Sequence, residues 1–241
     1  MFERLPLPLK QILAWSVHLL TASGAVWGFL TLLAIFEGNW RAAIIWMIVA
    51  IFVDGFDGML ARWFHVKQYA PGLDGGLLDN IIDYLNYVVV AALILIKAPG
   101  LLPAGWEMAG AVSILLTSAY QFTQVDAKTD EQSFFFKGFP SVWNFLAIYL
   151  MLLGLNPWAN LVLVLICNVL VFVPVKYIYP TRNARLRRLT LVLTYLYGAI
   201  GVWALMQYPF VPQWVVWISL VYVGYYVLLS FFPKIGRVKH A

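Results

Sequence analysis

The sequence predicts an all-α, polytopic integral membrane protein with about eight transmembrane helices. Three observations lead there. Hydrophobic residues make up 63% of the 241 positions and charged residues only 11%, against roughly 25% charged in an ordinary soluble domain. Mean hydropathy is +0.82. The apolar residues also gather into runs near the ~20 residues that a helix needs to cross a bilayer. So much apolar surface cannot be hidden inside a water-soluble globule of this size.

Eight segments have the required character: 12–36, 41–64, 77–97, 105–124, 139–154, 157–178, 189–207 and 213–232. The fifth is short. Helix-breaking pairs mark the connections: PG at 71–72, APG at 98–100, NP at 156–157, YP at 179–180 and YPFVP at 208–212. TASGA at 21–25 has the small residues of a cleavage site, but the apolar run continues through it to Phe36. That is too long for a signal peptide and long enough to span. No repeat, low-complexity tract or linker divides the chain, so residues 1–241 read as one transmembrane domain.

Charge orients the bundle. Arg4, Lys10, Arg62, Lys67, Lys128, Lys137, Lys176, Arg182, Arg185, Arg187, Arg188, Lys234, Arg237 and Lys239 all fall on one side, with both termini. Arg41 and Lys97 fall on the other. Lys and Arg are retained in the cytoplasm, so both termini are expected inside. The formal net charge of +5 thus reports topology rather than nucleic-acid binding. Trp40, Trp106, Trp158, Tyr179, Tyr208 and Trp214 suit interfacial anchoring. The single cysteine, Cys167, excludes an internal disulfide and a cysteine metal site. No Gly-rich phosphate loop, HExxH or GxSxG occurs, which leaves the usual P-loop, zinc-protease and serine-hydrolase readings without support.

Against this apolar background the aspartates stand out. Segment 2 ends in DGFDGMLAR, with Asp54 and Asp57 at i, i+3; segment 3 begins LDNIIDYLNY, with Asp79 and Asp83 at i, i+4. Each pair shares one helix face. Two antiparallel helices joined by a short loop can turn those faces together, on the cytoplasmic side. Four carboxylates gathered in a low-dielectric site require protonation or a cation, and an all-oxygen site suits Mg²⁺ or Mn²⁺. Two such ions would serve to grip a diphosphate and activate an attacking oxygen. Gly55, Gly58, Gly75 and Gly76 remove side chains where a nucleotide could approach the backbone, Ala61 is small, and Arg62 could pair with carboxylate or phosphate. The blander readings are a helix-pairing or proton-relay aspartate, or Asp79 as a helix cap. Two spaced pairs with glycine nearby favour the metal site. Asp74, in PGLDGG, reads as a turn former.

Asp54-x2-Asp57-Gly58-x2-Ala61-Arg62 … Gly75-x3-Asp79-x3-Asp83 resembles the signature of the CDP-alcohol phosphotransferase family. Twelve residues separate Arg62 from Gly75, a longer gap than most of the family shows. That gap, LDNIIDY, GFPSVWN at 138–144 and YIYPTR at 177–182 are similar to the bacterial phosphatidylcholine synthase branch. The resemblance covers most of the chain, but only the aspartate motif is diagnostic. It implies phosphatidyl transfer from CDP-diacylglycerol to choline with release of CMP, in the bacterial inner membrane. It implies two divalent ions, Mn²⁺ with Mg²⁺ possible, on Asp54, Asp57, Asp79 and Asp83. It further implies Asp83 as general base, Gly58, Ala61 and Gly75 beside the nucleotide, and a homodimer.

Choline has a quaternary ammonium with no N–H, which proteins hold on aromatic faces. Tyr84 and Tyr87 follow Asp83; Trp143, Tyr120, Tyr177 and Tyr179 are further candidates. Aromatics are 17% of the chain, so packing or anchoring is the default for each. Arg182 opens the basic run at 182–188, whose first reading is topological and whose second is attraction of the anionic liponucleotide. His18 reads as packing in helix 1, His65 as solvated loop and His240 as basic tail. Two other functions stay open. One changes the acceptor to serine, glycerol phosphate or inositol. The other is an ion or proton transporter with an aspartate relay, disfavoured because the aspartate pairs have no second copy.

Overall fold

The computed structural model describes residues 2–124, 135–173, 176–178 and 187–231. It is a helical membrane bundle. Among the described residues, four helices are long and apolar enough to cross a bilayer: Leu7–Phe36, Trp40–Trp63, Gly75–Lys97 and Arg188–Met206. Shorter apolar helices cover Trp143–Leu153, Pro157–Phe172 and Gln213–Leu228.

Helix α1 (Leu7–Phe36) opens with Pro8 in its first turn, where the missing N–H costs nothing. It packs along α2 (Trp40–Trp63), which Asn39 caps by accepting from the Ala42 N–H at 3.1 Å. A short α3 (Val66–Tyr69) lies in the long loop. Next comes one continuous rod: α4 (Gly75–Asp83), a π-helical stretch (Tyr84–Val89) and α5 (Val90–Lys97). Asp74 caps this rod, accepting from the N–H groups of Gly76 and Leu77 at 3.0 Å each. The turn former of the sequence is thus a helix cap, and Asp79 is left to point elsewhere.

The rod seats against α1 through two glycines. A Cβ on Gly24 would lie 2.4 Å from Ile82 Cγ2, and one on Gly28 would lie 2.6 Å from Asn86 Oδ1. Small residues spaced this way let membrane helices approach closely. Asn86 then donates to both Gly24 O and Ile82 O at 3.1 Å. It ties the π stretch to α1 and occupies a backbone carbonyl at its entrance.

On the other side of the rod, α6 (Glu107–Thr123), α7 (Trp143–Leu153) and α8 (Pro157–Phe172) enclose a core that includes Val88, Ile94, Ile114, Trp143, Leu150 and Val164. Helices α9 (Arg187–Met206) and α10 (Gln213–Phe231) follow. Their contact is lined with hydroxyls: Thr190 to Tyr225 at 2.9 Å, Thr194 to Tyr222 at 2.8 Å, and Tyr149 of α7 to Tyr197 at 3.1 Å and Ser219 at 2.8 Å.

Two expected segments end differently. The fifth becomes helical only at Trp143, because Gly138 and Ser141 hold positive φ and Pro140 stands between them. The sixth stops at Phe172, because Val173 turns extended before Pro174. Strands β1 (Phe135–Lys137) and β2 (Lys176–Ile178) then pair antiparallel, a ribbon that the hydrophobic pattern does not announce. Gly138 sits so close to α8 that a Cβ would meet Val171 O at 2.2 Å.

Candidate metal and substrate site

Helices α2 and α4 bring three aspartates together. One carboxylate oxygen each from Asp54, Asp57 and Asp79 lie within 4.8 Å of one another. Asp57 is buried, at 7% exposed, and Asp54 and Asp79 are half-buried. Asp83 lies outside that group of oxygens, one turn beyond Asp79 on the same helix.

The donor set fits a hard divalent cation. All three ligands are carboxylates, they come from facing helices, and their charges would repel at this spacing without a positive partner. A Cβ on Gly55 would meet nothing within 4 Å, and one on Gly58 only Arg62 Nη1 at 3.6 Å. Ala61 is half-buried and Arg62 exposed one turn further on. At the head of α4 the fit is tighter, since a Cβ on Gly75 would stand 3.0 Å from His18 Cε1.

Two residues that the sequence did not nominate, or nominated differently, reach the aspartates. The Thr21 hydroxyl on α1 donates to Asp57 Oδ2 at 2.8 Å. The Tyr87 hydroxyl donates to Asp54 Oδ2 at 2.6 Å, while its ring stacks on Phe145. His18 is buried as expected, and it lies against Gly75 rather than merely within α1's own packing. Its Nε2 has no hydrogen-bond partner among the described residues.

The other aromatic candidates are placed less directly. Tyr84 donates to Leu115 O at 3.0 Å and meets Phe122 edge-on, so its hydroxyl is committed to α6. Trp143 is 1% exposed, and its indole N–H donates to Ser118 Oγ at 2.6 Å. Its side chain is packed in the core. Tyr120 is half exposed against Phe172. Of Tyr177 only the backbone is described, paired with Phe136; Tyr179 and Arg182 lie outside the described residues.

The chain matches the family model for CDP-alcohol phosphatidyltransferase over residues 16–175. It is 42% identical over 234 residues to a phosphatidylcholine synthase of Legionella pneumophila, covering 94% of this chain and 91% of the relative. It is 36% identical to one of Mesorhizobium japonicum over 259 residues, covering 98% and 96%. A Rhizobium johnstonii phosphatidylcholine synthase is 37% identical over 234 residues, covering 95% and 96%.

Proposed function

This chain belongs to the CDP-alcohol phosphatidyltransferase family, and from that premise we propose that it makes phosphatidylcholine from CDP-diacylglycerol and choline. The observation that carries the reading is the meeting of Asp54, Asp57 and Asp79 between α2 and α4. It occurs in a chain similar along nearly its whole length to phosphatidylcholine synthases.

Asp54, Asp57, Asp79 and Asp83 would hold the divalent ions, two of them and preferably Mn²⁺, with Mg²⁺ as substitute. When bound, such ions neutralise the diphosphate and the charge that develops on departing CMP. The chain's own residues do the rest. Gly55 and Gly58 leave room for the nucleotide along α2, and Ala61 and Gly75 flank it. Arg62, exposed beside Gly58, is available to a phosphate. Asp83 takes the proton of the choline hydroxyl. The choline oxygen forms a bond to the β-phosphorus, the phosphorus that carries the diacylglycerol. The bond from that phosphorus to the bridging oxygen breaks, and the electron pair leaves with CMP.

The ammonium of choline is held on aromatic faces. Tyr87 is the candidate nearest the cluster, with Tyr84 one turn earlier and Tyr177 and Tyr179 assigned to the same cytoplasmic end, where Arg182 attracts the anionic liponucleotide. The enzyme works in a bacterial inner membrane with both termini cytoplasmic, as one domain per chain and as a homodimer.

The test uses purified protein, CDP-diacylglycerol, Mn²⁺ and, in parallel, labelled choline, serine, glycerol phosphate and inositol. Phosphatidylcholine and CMP in equal amounts, lost in Asp83→Asn, is the expected result. CMP release with serine but not choline would overturn the acceptor. No CMP with any alcohol, from folded protein, would overturn the transferase reading in favour of an aspartate relay.

A further inference from the structure

We propose that Thr21 and Tyr87 are positioning residues that lock the two helix-2 aspartates, Asp57 and Asp54, in the arrangement a divalent cation requires. The inference rests on the metal site proposed above. It begins from two hydrogen bonds that arrive from different elements. Thr21 reaches Asp57 Oδ2 from α1 at 2.8 Å, and Tyr87 reaches Asp54 Oδ2 from the π stretch at 2.6 Å.

Both donors are held in place. Thr21 is 7% exposed on the inner face of α1. A mid-helix threonine ordinarily bonds back to the carbonyl four residues earlier. Here that alternative, Val17 O, is the longer contact at 3.3 Å. The single hydroxyl hydrogen is therefore better spent on the carboxylate. Tyr87 is fixed through its ring, which stacks on Phe145 with centroids 6.4 Å apart and planes 13° apart. The π stretch in which it stands is anchored to α1 by Asn86. Such i→i+5 turns are rare and occur frequently at functional sites. This one re-registers the side chains that follow Asp83.

The chemistry of the donors separates orientation from neutralisation. Three carboxylates whose oxygens meet within 4.8 Å would swing apart if nothing held them. A lysine or arginine in these places would hold them but would also cancel the charge that attracts the cation. A hydroxyl holds one oxygen, adds no charge, and leaves the remaining lone pairs to the ion. Partners behind metal ligands act in this way, and losing one typically weakens metal affinity by about 10–100-fold.

The experiment titrates Mn²⁺ into the purified full-length protein in detergent, without substrate, following free Mn²⁺ by electron paramagnetic resonance. The variants are Thr21→Val, which keeps the shape and removes the hydroxyl, Thr21→Ser, which keeps the hydroxyl, and Tyr87→Phe, which keeps the ring. Thermal melts without metal accompany each. The expected result is Mn²⁺ affinity weakened about 10-fold or more in Thr21→Val and Tyr87→Phe. Thr21→Ser should be restored toward wild type. Wild-type affinity in both hydroxyl-free variants overturns the inference while leaving the metal site standing. So does an Mn²⁺ affinity that stays weakened in Thr21→Ser, which would trace the loss to the missing methyl and not to the hydroxyl. A raised choline KM in Tyr87→Phe with unaltered Mn²⁺ affinity leaves Tyr87 with the acceptor role alone and overturns its part. No Mn²⁺ binding by the wild type is a separate result, which overturns the metal site and this inference with it.

Discussion

Replacing Gly24 with alanine tests whether the approach of α1 to the aspartate-bearing rod sets the geometry of the site. The new methyl would stand 2.4 Å from Ile82 Cγ2. Carbon atoms in good contact sit roughly 3.5–4.0 Å apart, so the clash is relieved only by a movement of about 1 Å. Ile82 cannot absorb it easily. It is buried, at 9% exposed, and a β-branched side chain in a helix has one strongly preferred rotamer. The movement therefore falls on the rod, and Asp79 and Asp83 flank Ile82 on it. Overpacking of this kind costs about 1–3 kcal/mol of stability, and a displacement of about 1 Å at reacting groups can cost about 100-fold in rate. CMP release by Gly24→Ala should fall by about 10–100-fold in protein that remains folded. Gly198→Ala, where a Cβ meets nothing within 4 Å, should behave as wild type. Adding Ile82→Ala to Gly24→Ala removes the clashing atom and should return part of the activity, a coupling that a double-mutant cycle measures. Wild-type turnover in Gly24→Ala, or strictly additive losses in the double variant, would refute the reasoning.

Asp74→Ala removes a cap that accepts two N–H groups, and should lower stability by about 1 kcal/mol, read as a lower melting temperature. Its effect on turnover should be far smaller than that of Asp79→Asn. Trp143→Phe removes the indole donor to Ser118 inside the core. It should destabilise the protein by about 1 kcal/mol and leave choline KM unchanged, measured by a melt and by choline titration. Tyr149→Phe deletes two hydroxyl contacts between α7 and the α9–α10 pair. At about 0.6 kcal/mol per interhelical bond in a membrane, it should ease unfolding in denaturing detergent by about 1 kcal/mol without altering turnover.

Much of this was legible because it is local. Asp54 and Asp57, three apart, and Asp79 and Asp83, four apart, declare their shared faces by spacing alone. The spans follow from apolar run length. What escaped depends on distant partners. Thr21 looks like one more small residue in an apolar helix, and its bond to Asp57 crosses 36 positions. Tyr87 and Asp54 are 33 apart, so proximity to Asp83 was the only available clue, and it pointed to choline rather than to a carboxylate. Gly24 and Gly28 form a small-x3-small pattern that overlaps the cleavage-like TASGA, and the sequence does not say which helix it meets. The indole of Trp143 meets Ser118, 25 positions earlier, a partner that no local spacing announces. The π stretch has no local sequence mark, and the β1–β2 pairing joins segments about forty residues apart.

On the proposed function, the carboxylates of α2 and α4 drive phosphatidyl transfer by holding a divalent cation. The most direct measurement is choline incorporation into phosphatidylcholine by chelator-treated enzyme in lipid vesicles as Mn²⁺ is added back, for the wild type and for Asp57→Asn. No product is expected without metal, with recovery on addition of Mn²⁺ in the wild type and none in Asp57→Asn at concentrations that saturate the wild type. Full activity in the metal-free wild type, or an Asp57→Asn enzyme with an unaltered Mn²⁺ response, would contradict it.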